Sequence, residues 1–475
     1  MDGSLFVLVL LGAVSAAAEE VEHIDVAIIG GGPTGLALAI ALAKAPALAS
    51  RRVVVFERDD FAPKGAIVGI SPMAWAALEN IDATVARRVR RRGSVVREFC
   101  TEALDADAQP FEPPPTPPKP PPPPPPLSQM PPSPTRREGA RDRARGAQRA
   151  VARAAGTATR WLLARLGLAP QPHAAITFRW HDVRSELRRR ARELLGQRGV
   201  RGGHELVALD ADAQNADAQR THVQLAFART DRPDGPPLLV AARAVIACDG
   251  MRSSARALSK AGPRASALWV DEGKSIWRGI VPSLELRAVS TYFVEPGGNG
   301  RIAMLFPAGS GQGASWAVTA PRASGRAADG DDARARLRAA LPARVHPALA
   351  AAILRSGDVL ESALVSRNWS VPYTSHIERL AYAGDAAHPL RPTGQGLALA
   401  LEDAWTLGRI AAETDAAVAE PLAPAALRAY EARREARVRA VSLAVNELAQ
   451  LSYAAGDPRA LGMREPPPIE GYGPL

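Results

Sequence analysis

Three glycines, Gly30, Gly32 and Gly35, stand at G-x-G-x-x-G spacing in the stretch Asp25–Glu57, DVAIIGGGPTGLALAIALAKAPALASRRVVVFE. This spacing suits a pyrophosphate. The first glycine permits a tight turn, the second lets the backbone approach phosphate oxygens, and the third lets helix and strand pack closely. Pro33 and Thr34 lie between the second and third glycines, where a helix would begin. Glu57 falls about 20 residues past the last glycine, where the fingerprint places an acceptor for a ribose diol, and Arg58 follows it. Two further clusters have chemical potential. VIACDGMRSSAR, residues 245–256, carries Asp249 and Gly250; GDAAHPLRPTGQG, residues 384–396, carries Gly384, Asp385, Pro392, Gly394, Gln395 and Gly396. A carboxylate ending an apolar run can bind hydroxyls, and a glycine-ended turn opening a helix presents unpaired N–H groups to negative charge. His388 reads as a packed histidine, because no step in such chemistry requires a histidine base.

The elements that must position these residues follow from hydrophobic pattern. Val26–Ile29 and Val53–Phe56 are short apolar runs of the kind that form buried parallel strands, and Leu36–Leu42 continues the first as an apolar helix. Ser71-Pro72 has the form of a helix start, with Ser71 as cap and Pro72 at the first helical position. Residues 174–180 read as a strand followed by a helix through Leu195, Glu205–Leu209 and Val223–Phe227 as a hairpin, and Leu238–Ala247 as a strand running into Cys248-Asp249-Gly250. From Ala267 to Ala320 short alternating strands with glycine turns make a sheet of their own. Arg379–Ala383 is again a buried strand, Leu397–Arg409 a helix, and the last long helix runs from about Pro424 to Tyr453. The expected class is α/β, one mostly parallel Rossmann-like sheet built from discontinuous segments, with an inserted mostly antiparallel sheet and a C-terminal helix.

At 475 residues the chain is long enough for two or three domains. Its net charge of +10 is concentrated: between Arg136 and Arg165 nine arginines face only Glu138 and Asp142, a net +7. Basic residues elsewhere lack aromatic interleaving, which argues against a nucleic-acid partner. Cys100 and Cys248 alone supply neither a disulfide framework nor a metal site, and no metal is expected. Leu5–Val14 followed by small residues resembles a signal-peptide core and cleavage site, although Asp2 and the lack of Lys or Arg before it do not. A cleaved targeting segment and a plain apolar leader fit equally, and location is otherwise cytoplasmic or organellar. No stretch has the length of a membrane span. Pro113–Pro126 is almost pure proline, which enters neither sheet nor helix. That run and the Arg/Ala segment behind it read as a solvated insertion, with a recognition or membrane-surface arm as the alternative. The expected divisions are 1–21 leader, 22–108, 172–262 and 376–475 nucleotide-binding parts, 109–171 insert, and 263–375 substrate sheet.

Taken in order, the three motifs resemble the class A flavoprotein monooxygenases, the para-hydroxybenzoate hydroxylase family. Ile276-Trp-Arg-Gly-Ile-Val-Pro282 is most similar to the salicylate hydroxylase and zeaxanthin epoxidase branch. The resemblance covers roughly residues 22–108 and 172–450. It implies an FAD-binding fold, NAD(P)H as co-substrate, and O2 chemistry through a flavin C4a-hydroperoxide that hydroxylates or epoxidises an aromatic or unsaturated ring. It further implies that Gly30, Gly32, Pro33, Thr34, Gly35, Glu57 and Arg58 hold the ADP half. Asp249 and Gly250 would lie near the pyrophosphate and a transient nicotinamide nucleotide, and Gly384-Asp385 at the ribityl chain. Pro392 would face the isoalloxazine, with Gly394, Gln395 and Gly396 beneath its pyrimidine edge. Trp277, Phe306 and Trp316 are candidates for the substrate lining or for core.

Two positions depart from the family pattern: Ala398 stands where asparagine is common, and Trp180 where an arginine often opens a helix. A reductase or halogenase of the same fold, and a non-catalytic FAD-binding protein, are the competing readings. The halogenase Trp-x-Trp motif is incomplete at Trp369-Ser-Val-Pro372. Deleting Glu112–Pro134 should leave flavin binding and NAD(P)H oxidation nearly unchanged, because a polyproline run only lengthens a loop. A folded but inactive deletion protein would contradict this.

Overall fold

The computed structural model describes residues 21–63, 67–96, 98–103, 175–210, 222–259, 268–282, 284, 289–294, 301–309, 311–322, 333–342, 345, 347–357, 359–391, 394–414 and 420–455. The apolar leader, the proline and arginine segment, and Pro392 lie outside them. Everything described belongs to one compact unit, spanning 1–110 and 174–475.

The central strand β1 (Glu22–Ile29) pairs in parallel with β2 (Val53–Phe56) on one side and β10 (Leu238–Ala247) on the other. The short strands β7 (Val200–Arg201) and β16 (Leu380–Tyr382) extend the parallel part, pairing with β2 and β10. An antiparallel hairpin, β8 (His204–Asp210) and β9 (Val223–Arg229), completes a seven-stranded sheet on β10. Its parallel strands come from distant parts of the chain, as their apolar runs suggest.

Helix α1 (Pro33–Ala43) is apolar on every side because it is covered on every side, by the sheet, by α4 (Trp180–Leu195) and by α8 (Gly396–Glu413). It starts earlier than the apolar run suggests. Pro33 occupies its first turn, where a fixed φ helps and the missing N–H costs nothing, and Gly32 is its N-cap. Two short helices, α2 (Pro72–Ile81) and α3 (Ala83–Arg90), pack on the same side; Ser71 Oγ caps α2 by accepting from Ala74 N at 3.3 Å. A small antiparallel sheet of β3 (Ile67–Ile70), β6 (Ala175–Arg179) and β4 (Ser94–Val96) leads into α4.

The second large sheet has the order β15 (Leu360–Arg367), β11 (Trp269–Val281), β14 (Ala314–Pro321), β13 (Ile302–Pro307), β12 (Val289–Val294), β5 (Glu98–Ala103). It is antiparallel except at its edge, where β5 from the first segment runs parallel to β12. One face carries Trp277, Val281, Leu305, Trp316 and Val318, which form a core with residues of α6 (Ala333–Ala340) and α7 (Pro347–Arg355). The C-terminal helix α9 (Pro424–Ala455) packs against α8.

Gly35 shows how tightly α1 is fitted. A Cβ there would lie 2.0 Å from the Gly30 carbonyl oxygen, a backbone atom with little freedom to move. Gly35→Ala should therefore destabilise the protein by about 1–3 kcal/mol, the range for overpacking. Urea denaturation checks this, and unchanged stability would contradict it.

Candidate functional site

The C-terminal ends of β2, β1, β10 and β16 lie side by side and carry Glu57, Gly30, Cys248-Asp249 and Gly384-Asp385 in that order. Ligands of open α/β sheets collect at this edge. Gly30 has φ +103°, and a Cβ on it would meet Cys248 O at 2.5 Å, so the β1 turn presses directly on the end of β10. Gly384 has φ +60°, and a Cβ there would meet Thr34 Oγ1 at 2.5 Å. Gly32 is different: a Cβ there would meet nothing within 4 Å. Gly250, at φ +83°, also borders open space. The first turn of α1 thus faces a cradle of backbone with its unpaired N–H groups available.

Glu57 is 8% exposed. Its Oε2 accepts from Gly31 N at 2.6 Å and its Oε1 from Asp59 N at 3.1 Å. Oε1 keeps a second lone pair, so room remains for a hydroxyl. Arg58, by contrast, is exposed. Arg184 of α4 completes the turn. Its Nε donates to Gly31 O at 2.8 Å, its Nη2 to Asp59 Oδ1 at 2.7 Å, and Nη2 lies 3.3 Å from Glu57 Oε2. Phe61 adopts φ +68°, uncommon for an aromatic residue, with its ring under Arg184 and Arg188 at 4.5 and 4.0 Å. Trp180 does open α4, and the guanidinium at the glycine turn comes from Arg184, one turn later. The spacing of Arg184 and Arg188, one helical turn apart on one face, was the available signal.

At the other end of the cleft, Asp249 Oδ2 accepts from Ala255 N at 3.0 Å, while its buried Oδ1 has no partner among the described residues. Burial raises its pKa. Asp385 is reachable by solvent through the open cleft, yet protein crowds it. That crowding pushes its pKa above the usual carboxylate range, against the pull of His388 and Arg278; water in the cleft tempers the push. Gly396 adjoins it, since a Cβ on that glycine would lie 3.9 Å from Asp385 Oδ1. Gly394, at φ +85°, turns the chain into α8; Gln395 is its N-cap, buried, with Oε1 unpaired among the described residues. The first N–H groups of α8 therefore point into the same cleft.

Two placements bear on what lines the cleft. Arg391 forms an ion pair with Glu272 of β11, and among the described residues none joins it to Asp385; strand β11 brings Glu272 to the guanidinium. Trp277 and Trp316 belong to the core under α6 and α7. The opposite face of β11 and β13 carries Arg278, Ile280, Met304 and Phe306, all half-buried. Arg278 donates through Nη2 to Ser362 Oγ at 2.8 Å, and its buried Nε is unpaired among the described residues. Burial lowers its pKa and the charge of Asp385 opposes this.

A buried ionic network fixes the Asp385 turn. Asp403 Oδ2 accepts from Gly384 N at 2.7 Å and from His388 Nε2 at 2.6 Å, and Oδ1 accepts from Arg434 Nε at 2.6 Å. Arg434 also donates to Glu402 Oε2 at 2.8 Å and Leu399 O at 3.1 Å, and Arg437 donates to both oxygens of Glu402. His388 is thus a structural residue. Burial pushes Asp403 up, but His388, Arg434 and the Gly384 N–H together hold it below the usual carboxylate range. A depressed carboxylate contributes stability above its unfolded pKa, which is lost as pH falls through the folded value, here below about pH 4. Arg434→Met should cost about 3–5 kcal/mol at neutral pH by leaving the buried Asp403 without its arginine, while Glu402 keeps Arg437. A loss under about 1 kcal/mol in denaturant titrations would contradict the network's role.

The open space at Gly32, the unpaired acceptors Asp249 Oδ1 and Gln395 Oε1, Asp385 at the cleft, and two helix N-termini together fit an extended dinucleotide such as FAD. Residues 23–444 match the model of the FAD binding domain family. No curated protein matches the chain at significance. Among solved structures it is similar to Klebsiella pneumoniae HpxO complexed with FAD and uric acid, with 21% identity, TM-score 0.58, and 92% and 90% of the two chains covered. CtdE in complex with FAD and a substrate aligns at 15% identity and TM-score 0.61 over 94% and 95%. A salicylate hydroxylase substrate complex aligns at 20% and 0.57 over 92% and 90%. These likenesses establish a common fold. With the matched family and its three motifs set on one cleft, the chain belongs to the FAD binding domain family.

Proposed function

We propose that the protein uses NAD(P)H and O2 to insert one oxygen atom into an aromatic or otherwise unsaturated ring, the second oxygen atom leaving as water. NAD(P)H, a proton, O2 and the ring compound would give NAD(P)+, the oxygenated product and H2O. The observation that carries this reading is the meeting of Asp385 and the N-terminus of α8 in one cleft, beneath the half-buried face of the second sheet. A flavin bound there supplies the acceptance of hydride and the activation of O2.

The chain's own residues would do the rest. Backbone N–H groups at Gly32, Thr34 and the following turn would neutralise the pyrophosphate, and Glu57 would accept from ribose hydroxyls. Asp385 would accept from a hydroxyl of the flavin chain. The first N–H groups of α8, beginning at Gly396, would stabilise negative charge on the pyrimidine edge of the ring system. Arg278, Ile280, Met304 and Phe306 would line the substrate side, mixing one cation with apolar surface. The binding of uric acid by one relative and the naming of another as a salicylate hydroxylase support a small ring substrate.

The test is NADPH and NADH oxidation by FAD-loaded protein, with and without a panel of phenols and purines. Stimulated oxidation with an oxygenated product is expected; oxidation indifferent to every compound and yielding only hydrogen peroxide would favour a reductase. Asp385→Ala should weaken FAD by roughly 10- to 150-fold, as for loss of a charge-assisted hydrogen bond. Arg391→Ala, whose partner is Glu272, should shift it only a few-fold. Equal losses in flavin titrations of the two variants would remove Asp385 from the flavin.

A further inference from the structure

On the face of the main sheet opposite α1, two arginines whose charges act on each other are buried with donors to spare. Arg256, 4% exposed, belongs to α5 (Ser254–Leu258), and Arg367, 3% exposed, ends β15. Arg256 Nε donates to Ala386 O at 3.0 Å and its guanidinium lies 3.7 Å over the Tyr382 ring, but its buried Nη2 has no partner among the described residues. Arg367 gives Nη2 to the carbonyls of Val371 and Pro372, at 3.0 and 3.2 Å, while Nε and Nη1 are buried and unpaired among the described residues. Tyr373, 2% exposed, sits with its ring 5.6 Å from the Arg367 guanidinium, and its hydroxyl is also unpaired among the described residues. The indole N–H of Trp369, whose ring is 5.1 Å from the same guanidinium, makes a fifth unpaired polar atom.

The composition of this set narrows what can satisfy it. Four of the five atoms can only donate, and the fifth, a phenol, can also donate. Water needs acceptors as well as donors, so it serves such a set poorly. The two guanidiniums also act on each other: burial, and then the charge of Arg256, bring Arg367 down to about 10. Counter-charge is short. Glu431 of α9 faces the cluster and accepts from Ser375 N at 3.2 Å, but burial raises it to about 7, so near neutral pH much of it is uncharged. Glu435 acts on Arg367 from the same helix, and Asp249 acts on Arg256 while engaged by Ala255 N. Burial of all three principal side chains excludes a phosphate ester borne by a larger ligand.

We propose that Arg256, Arg367 and Tyr373 bind a small inorganic anion, of the size of a halide, beneath the flavin-binding edge. The anion would steady the guanidinium that holds Ala386, and with it the turn Gly384–Ala386 that carries Asp385. The site is separate from the cofactor cleft and does not depend on the reaction assigned to that cleft.

Crystals of the full-length FAD-loaded protein grown in sodium bromide, with data collected above the bromine edge, test this directly. An anomalous peak within hydrogen-bonding reach of Arg256 Nη2, Arg367 Nε or Nη1, and Tyr373 Oη is expected. In solution, replacing gluconate by bromide at constant ionic strength should raise the melting temperature saturably. Tyr373→Phe, which keeps the packing, should weaken that dependence about 3- to 10-fold, as for one hydrogen bond. Arg367→Gln should abolish it; should that variant not fold, Tyr373→Phe and the anomalous map suffice. Ordered water or the Glu431 carboxylate in the position of the peak would overturn the site. So would a peak with no saturable effect on melting, which would mean binding at crystal concentration only.

Discussion

The site rests on one buried ion cluster. Asp403 and Glu402 are neighbours on α8 with essentially no exposure, and Arg434 of α9 lies between them. A buried pair of this kind adds little net stability over an apolar substitute, because desolvation offsets attraction. Its contribution here is geometric. Through Asp403 the cluster grips both the N–H of Gly384 and the ring of His388, so the turn carrying Asp385 is tied to the same helix whose N-terminus opens the cleft. Moving one without the other would strand a buried charge. The Asp385 carboxylate and the N-terminus of α8 are thereby held in fixed relation.

Backbone contact sets the other end of the cleft. Gly30 lies against Cys248 O and Gly384 against Thr34, so three chain segments approach closer than any side chain allows. Gly32, between them, is left facing open space. Close packing around one vacant glycine makes a ligand cradle out of backbone. Arg184 then locks the cradle from outside, bridging Gly31, Asp59 and Glu57 with one guanidinium.

Much of this was legible in the residues and some was not, for physical reasons. The glycine fingerprint and Asp385 could be read because each answers a local mechanical need. The parallel strands could be read because burial on both faces leaves a continuous apolar run. Arg184 was hidden in a helix with four other arginines, Arg188, Arg189, Arg190 and Arg192; its spacing from Arg188 marks a shared face, but the fold decides that this face turns inward. Arg391 stands six residues from Asp385, yet its ion pair is with the longer-range Glu272, a partner that local sequence does not record. Trp277 and Trp316 alternate correctly for a strand, but which face meets the cleft depends on where α6 and α7 pack, which alternation alone does not record. The edge strand β5 was missed in its role because parallel pairing with β12 joins segments nearly 200 residues apart.

The central claim is that one cleft, formed where β1, β2, β10 and β16 end, holds FAD with its ring system at the N-terminus of α8. A crystal structure of the protein equilibrated with FAD tests it most directly. The account predicts the pyrophosphate over Gly32, a flavin-chain hydroxyl within hydrogen-bonding distance of Asp385, and the pyrimidine edge at the N–H groups of Gly396–Ala398. FAD bound with its ring system away from α8, or protein that stays colourless at saturating FAD, would contradict it.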